Sequence, residues 1–202
     1  MGRERKQVQT LEDLPIGTLH SDILIPIMIK TPIKSLLPFC KADKRIHDIC
    51  KDESFWVAKL RNDYPKEAIL LKQVSIPLNK DTYKALYSLR GRSLVNIAEY
   101  YIGINNDHYL AKEPPIVVDY ILRLKKRDLR APIAAPWGNI YFTDLAMGNG
   151  NYPLFKWLVE RGVPVQESVR EKIDDLLNDD YERKRIDVGA FLAMKKLLKN
   201  MK

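Results

Sequence analysis

The sequence predicts an all-α fold made of short helices stacked on one another. Apolar residues recur at helical spacing in segment after segment, and no segment alternates with period two for long enough to make a sheet. Pro, Gly and Asn-Asp clusters punctuate the chain between the periodic stretches.

Residues 1–13 are polar and charged with little periodicity, which predicts a flexible basic arm headed by Arg3-Glu4-Arg5-Lys6, with structure beginning near Leu14-Pro15. From Ser21 the apolar residues Ile23, Leu24, Ile27 and Met28 fall on one helical stripe, which Ser21 or Asp22 can cap, and Pro26 stands in the first turns. Thr31-Pro32 breaks that helix, because the residue before a proline is pushed out of the α region. A second helix turns Ile33, Leu36, Leu37 and Phe39 inward, with Pro38 ending or bending it. A third, about Asp43 to Cys50, places Ile46, Ile49 and Cys50 opposite Lys44, Arg45, His47 and Asp48. Asp52-Glu53-Ser54 then caps Phe55 to Leu60.

Further helices are expected at Tyr83 to Leu89, Leu94 to Tyr101 and Pro115 to Leu129. Val74-Ser75-Ile76-Pro77 reads as a short strand or as extended chain. A proline-rich stretch, 131–136, leads into a helical pair, Thr143 to Met147 and Pro153 to Glu160, whose Arg161-Gly162 supplies a left-handed C-cap. Helices at Gln166 to Leu177 and Gly189 to Lys199 close the chain.

With 202 residues, 46% hydrophobic and 30% charged, the chain supports one compact domain or two small ones and excludes general disorder. Its longest apolar run, Ile23 to Ile29, is far short of the ~20 residues of a membrane-spanning helix. The charged N-terminus has no apolar core of a secretion signal. Two cysteines, Cys40 and Cys50, without others nearby, read as small core hydrophobes in a reducing, intracellular compartment.

Residues 19–56 resemble an F-box. Pro32-Ile33-Lys34-Ser35-Leu36-Leu37, Lys44-Arg45 and Phe55-Trp56 follow the family pattern in order and spacing, over about a fifth of the chain. The family's opening Leu-Pro stands here as Leu19-His20, and its aromatic after Lys-Arg is Ile46. The resemblance implies a trihelical unit over 14–65 that packs against the Skp-type adaptor of a cullin–RING ubiquitin ligase. On this chain it assigns adaptor binding to Leu19, Ile23, Leu24, Ile27, Met28, Pro32, Leu36, Leu37 and Ile46.

Ala146 to Gly162 is similar to the helix–turn–helix of an ankyrin repeat. Ala146 permits close approach, Asn149-Gly150 turns the chain, and Leu154, Phe155 and Leu158 fill the core, while Tyr141-Phe142-Thr143-Asp144 replaces the family's Thr-Pro-Leu-His. An F-box-like head before ankyrin-like helices resembles proteins encoded by giant DNA viruses. That resemblance implies an interaction domain over 66–202 that holds an unknown target protein, a location in host cytoplasm or nucleus, and a place in the virion as the alternative.

No catalytic site is expected. His20, His47 and His108 are scattered without partners at ligand spacing, so no metal or cofactor is implied. Asp174-Asp175 and Asp179-Asp180 read as a solvated face, and Gly148-Asn149-Gly150 lacks the strand and Lys-Ser/Thr of a phosphate loop. The net charge of +8 is concentrated in Arg123, Lys125, Lys126, Arg127 and Arg130 and in Arg183, Lys184 and Arg185. With Tyr100, Tyr101, Tyr109, Tyr120 and Trp137 nearby in sequence, these runs form a candidate surface for nucleic acid or an acidic partner. Ordinary solvated helix faces are the simpler reading, because no nucleic-acid-binding motif accompanies the charge.

Overall fold

The computed structural model describes residues 19–103, 106–135, 138–179 and 181–201. The expected arm at 1–13, the expected start near Leu14-Pro15, Trp137 and Asp180 lie outside these residues. Among the described residues the fold is all-α, with thirteen helices and one two-stranded hairpin. It divides into two compact units, one of residues up to 69 with 77–83, the other of 70–76 with 84 onward.

In the first unit α1 (Ser21–Lys30) packs on α4 (Glu53–Asp63), and α2 (Ile33–Ala42) packs chiefly on α3 (Lys44–Lys51), which also meets α4. His20 holds the N-cap position of α1 without a side-chain capping bond, and Asp22 serves its first turn as a favourable charge, so neither expected capping residue caps it. Thr31 ends the helix in an extended conformation, donating from its backbone to Ile27 and Met28 and from Oγ1 to Ile27. Pro38 neither ends α2 nor stops its last turn. The ring deprives only the carbonyl of Lys34, an exposed position where water is at hand. Asp43 caps α3 by accepting from the Ile46 amide at 2.9 Å, and Asp52 caps α4 by accepting from Ser54 at 2.8 Å.

Cys40 and Cys50 are joined in a disulfide, which corrects the reading of two free core residues. Each lies in the last turn of its helix, and packing α2 against α3 brings the two turns together. Closing a loop of ten residues' separation constrains the unfolded chain and is worth about 3 kcal/mol.

The fully buried side chains of α4 are Phe55, Trp56, Lys59 and Leu60, a helical stripe that includes one charge. Lys59 Nζ donates to the carbonyls of Ile29 at 2.9 Å and Thr31 at 2.8 Å and pairs with Asp63 Oδ2 at 2.9 Å. An ammonium has three N–H groups, so all three are satisfied. Tyr83, on the returning segment, donates to the same Asp63 oxygen at 2.6 Å. Lys80 donates to the Cys50 carbonyl and lies over the Trp56 ring, whose Nε1 also donates to that carbonyl at 2.7 Å.

The second unit takes the chain through the remaining helices. α5 (Pro65–Gln73) and α6 (Lys80–Ser88) begin in the first unit and end in the second. α7 (Leu94–Gly103), the short α8 (Asp107–Leu110) and α9 (Pro115–Leu124) follow. α9 stops five residues before its expected end, because Lys126 turns left-handed at φ 51°, donating to the Arg123 carbonyl while Arg127 donates to that of Leu122. Strands β1 (Ile133–Ala135) and β2 (Gly138–Ile140) form an antiparallel hairpin where a proline-rich loop was expected. Three residues per strand are too few to show alternation in sequence.

The hairpin leads into α10 (Phe142–Gly148) and α11 (Tyr152–Glu160), packed as a pair, and then α12 (Glu167–Asn178) and α13 (Val188–Lys199), packed as another. α11 also meets α9 and α13, so the pairs stack. Gly150 at φ 63° makes the expected turn, and Gly162 at φ 72° provides the expected left-handed cap. Asn151 caps α11 through the Leu154 amide and reaches back to the carbonyls of Ala111 and Glu113, both at 3.0 Å.

Replacing Lys59 with Met leaves the buried Thr31 carbonyl without its donor, the Ile29 carbonyl with only a 3.5 Å bond from Asn62, and Asp63 without its cation. The expected cost is about 3 kcal/mol, read as lost hydrogen-exchange protection in α1 and α4. Unchanged protection would mean that the ammonium stabilises nothing.

Candidate docking site

The first unit completes its core and still leaves apolar groups outside. Leu24, Met28 and Thr31 form the buried stripe of α1, at i, i+4 and i+7, while every residue from 23 to 29 is apolar. A helix without a polar face cannot bury itself in one contact. Ile23 is accordingly 55% exposed, Pro26 is exposed, and Ile27 is half-buried. On α2 the same division places Leu36 and Cys40 inside and leaves Leu37 47% exposed beside Pro38, with Pro32 exposed at the helix start.

The nine residues assigned to adaptor binding therefore fall into two groups. Leu24, Met28, Leu36 and Ile46 belong to the unit's own core, whereas Ile23, Pro32 and Leu37 face solvent and Leu19 and Ile27 are half-buried. Sequence spacing alone does not separate the two sides of the run 23–29, which is apolar at every position.

On the other flank of α1 an open groove of about 760 Å³ runs between α1, α3 and α4. Ile25, Ile49, Phe55 and Ala58 line its apolar part, and Asp48 and Arg45 stand on its edge. Arg45 Nη2 donates to Ser21 Oγ at 3.0 Å, which joins the start of α1 to α3. His47 is exposed, with Nδ1 donating to the Cys40 carbonyl at 2.9 Å.

In the second unit most of the central basic run is engaged within the fold. Arg123 pairs with Asp119 at 2.7 Å and reaches the carbonyls of Val74 and Ser75. Arg127 pairs with Asp107 at 2.6 Å and lies over the Phe142 ring. Arg130 donates twice to the Arg161 carbonyl, at 3.0 and 2.8 Å, closing the end of α11 beside Gly162. Lys125 is half-buried and Lys126 exposed. Arg183, Lys184 and Arg185 are exposed on a 3-10 turn at Glu182–Lys184. The carboxylates of the C-terminal helices also have structural work: Asp174 pairs with Lys195 at 2.6 Å, and Asp179 caps the turn by accepting from Tyr181 and Glu182.

The aromatic residues divide in the same way. Tyr101 and Tyr120 are buried, and Tyr100 and Tyr109 are exposed. Tyr101 shares its hydroxyl between the Tyr109 carbonyl and Glu113, both at 3.2 Å, and Glu113 holds Arg92 through two bonds. Burial, then the Glu113 charge, pushes the Tyr101 hydroxyl up to about 12. No group of three His, Cys, Asp or Glu side chains suited to a metal occurs among the described residues.

Asp63 was not singled out by sequence, nor was Lys59. The signal for both was a lysine standing in the apolar stripe Phe55, Trp56, Lys59, Leu60, with a carboxylate four residues on. No family model matches the chain, and no curated protein or solved structure matches it either.

Burial alone would raise the Asp63 carboxyl, but bonds from Tyr83, Lys59 and Asn62 and the Lys59 charge outweigh it and hold the group below its ordinary value. A lowered acid contributes stability above its unfolded value of about 4 and loses it as pH falls through the folded value. Stability of the first unit should therefore fall with acid below about pH 4, and the Asp63→Asn variant should show a flatter acid limb in a pH series of urea unfolding. An identical limb in both proteins would remove Asp63 from the account.

A second titration reads the other unit. Ultraviolet titration should show a tyrosine ionising near 12 that disappears in Tyr101→Phe. An unaltered curve in that variant would contradict the buried contact with Glu113.

Proposed function

We propose that the first unit is an F-box-like docking module that binds a Skp-type adaptor, and that the helical pairs of the second unit hold a target protein for a cullin–RING ubiquitin ligase. The observation that carries this reading is that Ile23, Pro26, Pro32, Leu37 and Pro38 are left at the surface by helices whose inward residues already fill a core. Exposed apolar residues on a small helical unit gain most by meeting a partner. The order of Pro32 to Leu37, Lys44-Arg45 and Phe55-Trp56 supports the F-box resemblance. A hairpin followed by a paired α10 and α11, turned at Gly150 and capped at Gly162, supports the ankyrin-like one.

In this role the protein brings two others together and performs no chemistry. It acts where the ligase acts, which the viral resemblance places in the cytoplasm or nucleus of a host cell. The alternative, a virion or nucleoprotein component, draws support from exposed Arg183, Lys184 and Arg185. It loses support from Arg123, Arg127 and Arg130, whose guanidinium groups are engaged within the fold.

Calorimetry of the full chain with a purified Skp-type adaptor tests the proposal. The unmodified protein should bind at micromolar or tighter concentration. An Ile23→Asp, Leu37→Asp double variant, with an unchanged circular dichroism spectrum, should lose at least tenfold in affinity, since central interface residues are commonly worth more than about 1 kcal/mol each. Absence of binding, or binding indifferent to both substitutions, would overturn it.

A further inference from the structure

The attachment of α2 differs from that of its neighbours. Its fully buried apolar side chains are Leu36 and Cys40, with Ile33 and Phe39 half-buried, and it packs chiefly on α3. Like α1, which is also ten residues with an internal proline, α2 is shorter than the ~12 residues at which isolated helices become marginal in water and depends on its attachment. One of its two buried anchors is covalently bonded to α3. Cys50, at the other end of that bond, is held independently, because its carbonyl accepts from Trp56 and Lys80. The bond therefore fastens the less secured helix to the better secured one.

From this arrangement we infer that the Cys40–Cys50 disulfide is a thiol-operated gate on α2: its reduction loosens the helix and weakens docking at its exposed Leu37 and Pro38. The effect on docking rests on the adaptor-binding reading proposed above; the effect on α2 does not. The chain has no other cysteine, so both sulfurs have one intramolecular partner and the reaction has two end states. A thiolate from a dithiol attacks one sulfur, forming a mixed disulfide and releasing the other as a thiolate that takes up a proton. The second thiol of the reductant then attacks its own bound sulfur, loses its proton and frees the remaining cysteine thiolate, which is protonated. The protein gains two electrons and two protons, and the dithiol leaves as a disulfide. In a reducing compartment, disulfides of this kind are commonly transient and regulatory.

The test compares the oxidised full chain with the same chain treated with dithiothreitol. Hydrogen exchange is followed in α2 and α4, and adaptor affinity is measured on both samples. A Cys40→Ala, Cys50→Ala double variant serves as the permanently open form. Reduction should lower protection across 33–42 at least tenfold, leave 53–63 unchanged and weaken adaptor binding about tenfold. The variant should show the loosened α2 with or without dithiothreitol.

If α2 loosens while the adaptor binds neither form, the gate on α2 stands and the docking reading falls. If the adaptor binds both forms equally, the gate is overturned while docking stands. Protection of α2 indifferent to reduction overturns it too, as does equal loss in α4 or alkylation of both cysteines before any reductant is added.

Discussion

The first unit depends on what the Lys59 ammonium does at the end of α1. That helix stops at Thr31, which is extended ahead of Pro32, and the carbonyls of Ile29 and Thr31 turn toward α4. A buried carbonyl without a donor costs about 1–3 kcal/mol. Lys59, on α4, reaches two of them and carries a charge that Asp63 neutralises one turn further along. Tyr83 then binds Asp63, so a single chain of polar contacts joins α1, α4 and the returning segment 77–83. A buried charge is tolerable only when its donors and its counter-charge are all supplied, and here they are.

With that closure made, the apolar residues sort into those the unit needs and those it does not. Leu24, Met28, Leu36, Ile46, Phe55, Trp56 and Leu60 make the core, and Ile23, Pro26, Leu37 and Pro38 remain outside it. Apolar side chains left exposed on a small unit are suited to an interface with a partner. The basic residues of the second unit illustrate the converse. Arg123, Arg127 and Arg130, which look like a phosphate-binding run when written in a line, are spread by the fold among Asp119, Asp107 and the carbonyl of Arg161.

Most helices were legible because each carries a local signal. Asp43 and Asp52 announce α3 and α4, Thr31-Pro32 separates α1 from α2, and Gly162 closes α11. What was not legible depends on contacts distant in sequence or on segments too short to show a pattern. α5 was missed because Pro65 reads as a break, although proline at a first helical position is a start. The hairpin at 133–140 is shorter than the period needed to recognise it. The disulfide depends on how α2 and α3 pack, which the spacing of Cys40 and Cys50 does not reveal. The candidate site was half-legible: the right helices were found, but one list of residues mixed core with surface, because the central run of α1, 23–29, has no polar position within it to mark its outward side.

The central claim is that the buried apolar residues of α1 and α2 are spent on the fold and the exposed ones are free for a partner. Methyl NMR spectra of the full chain, recorded while a Skp-type adaptor is added, test it directly. The account predicts saturable shifts at the methyl groups of Ile23 and Leu37, with those of Leu24 and Leu36 least affected. Saturation of the adaptor without a shift at Ile23 or Leu37, or shifts largest at Leu24 and Leu36, would contradict it.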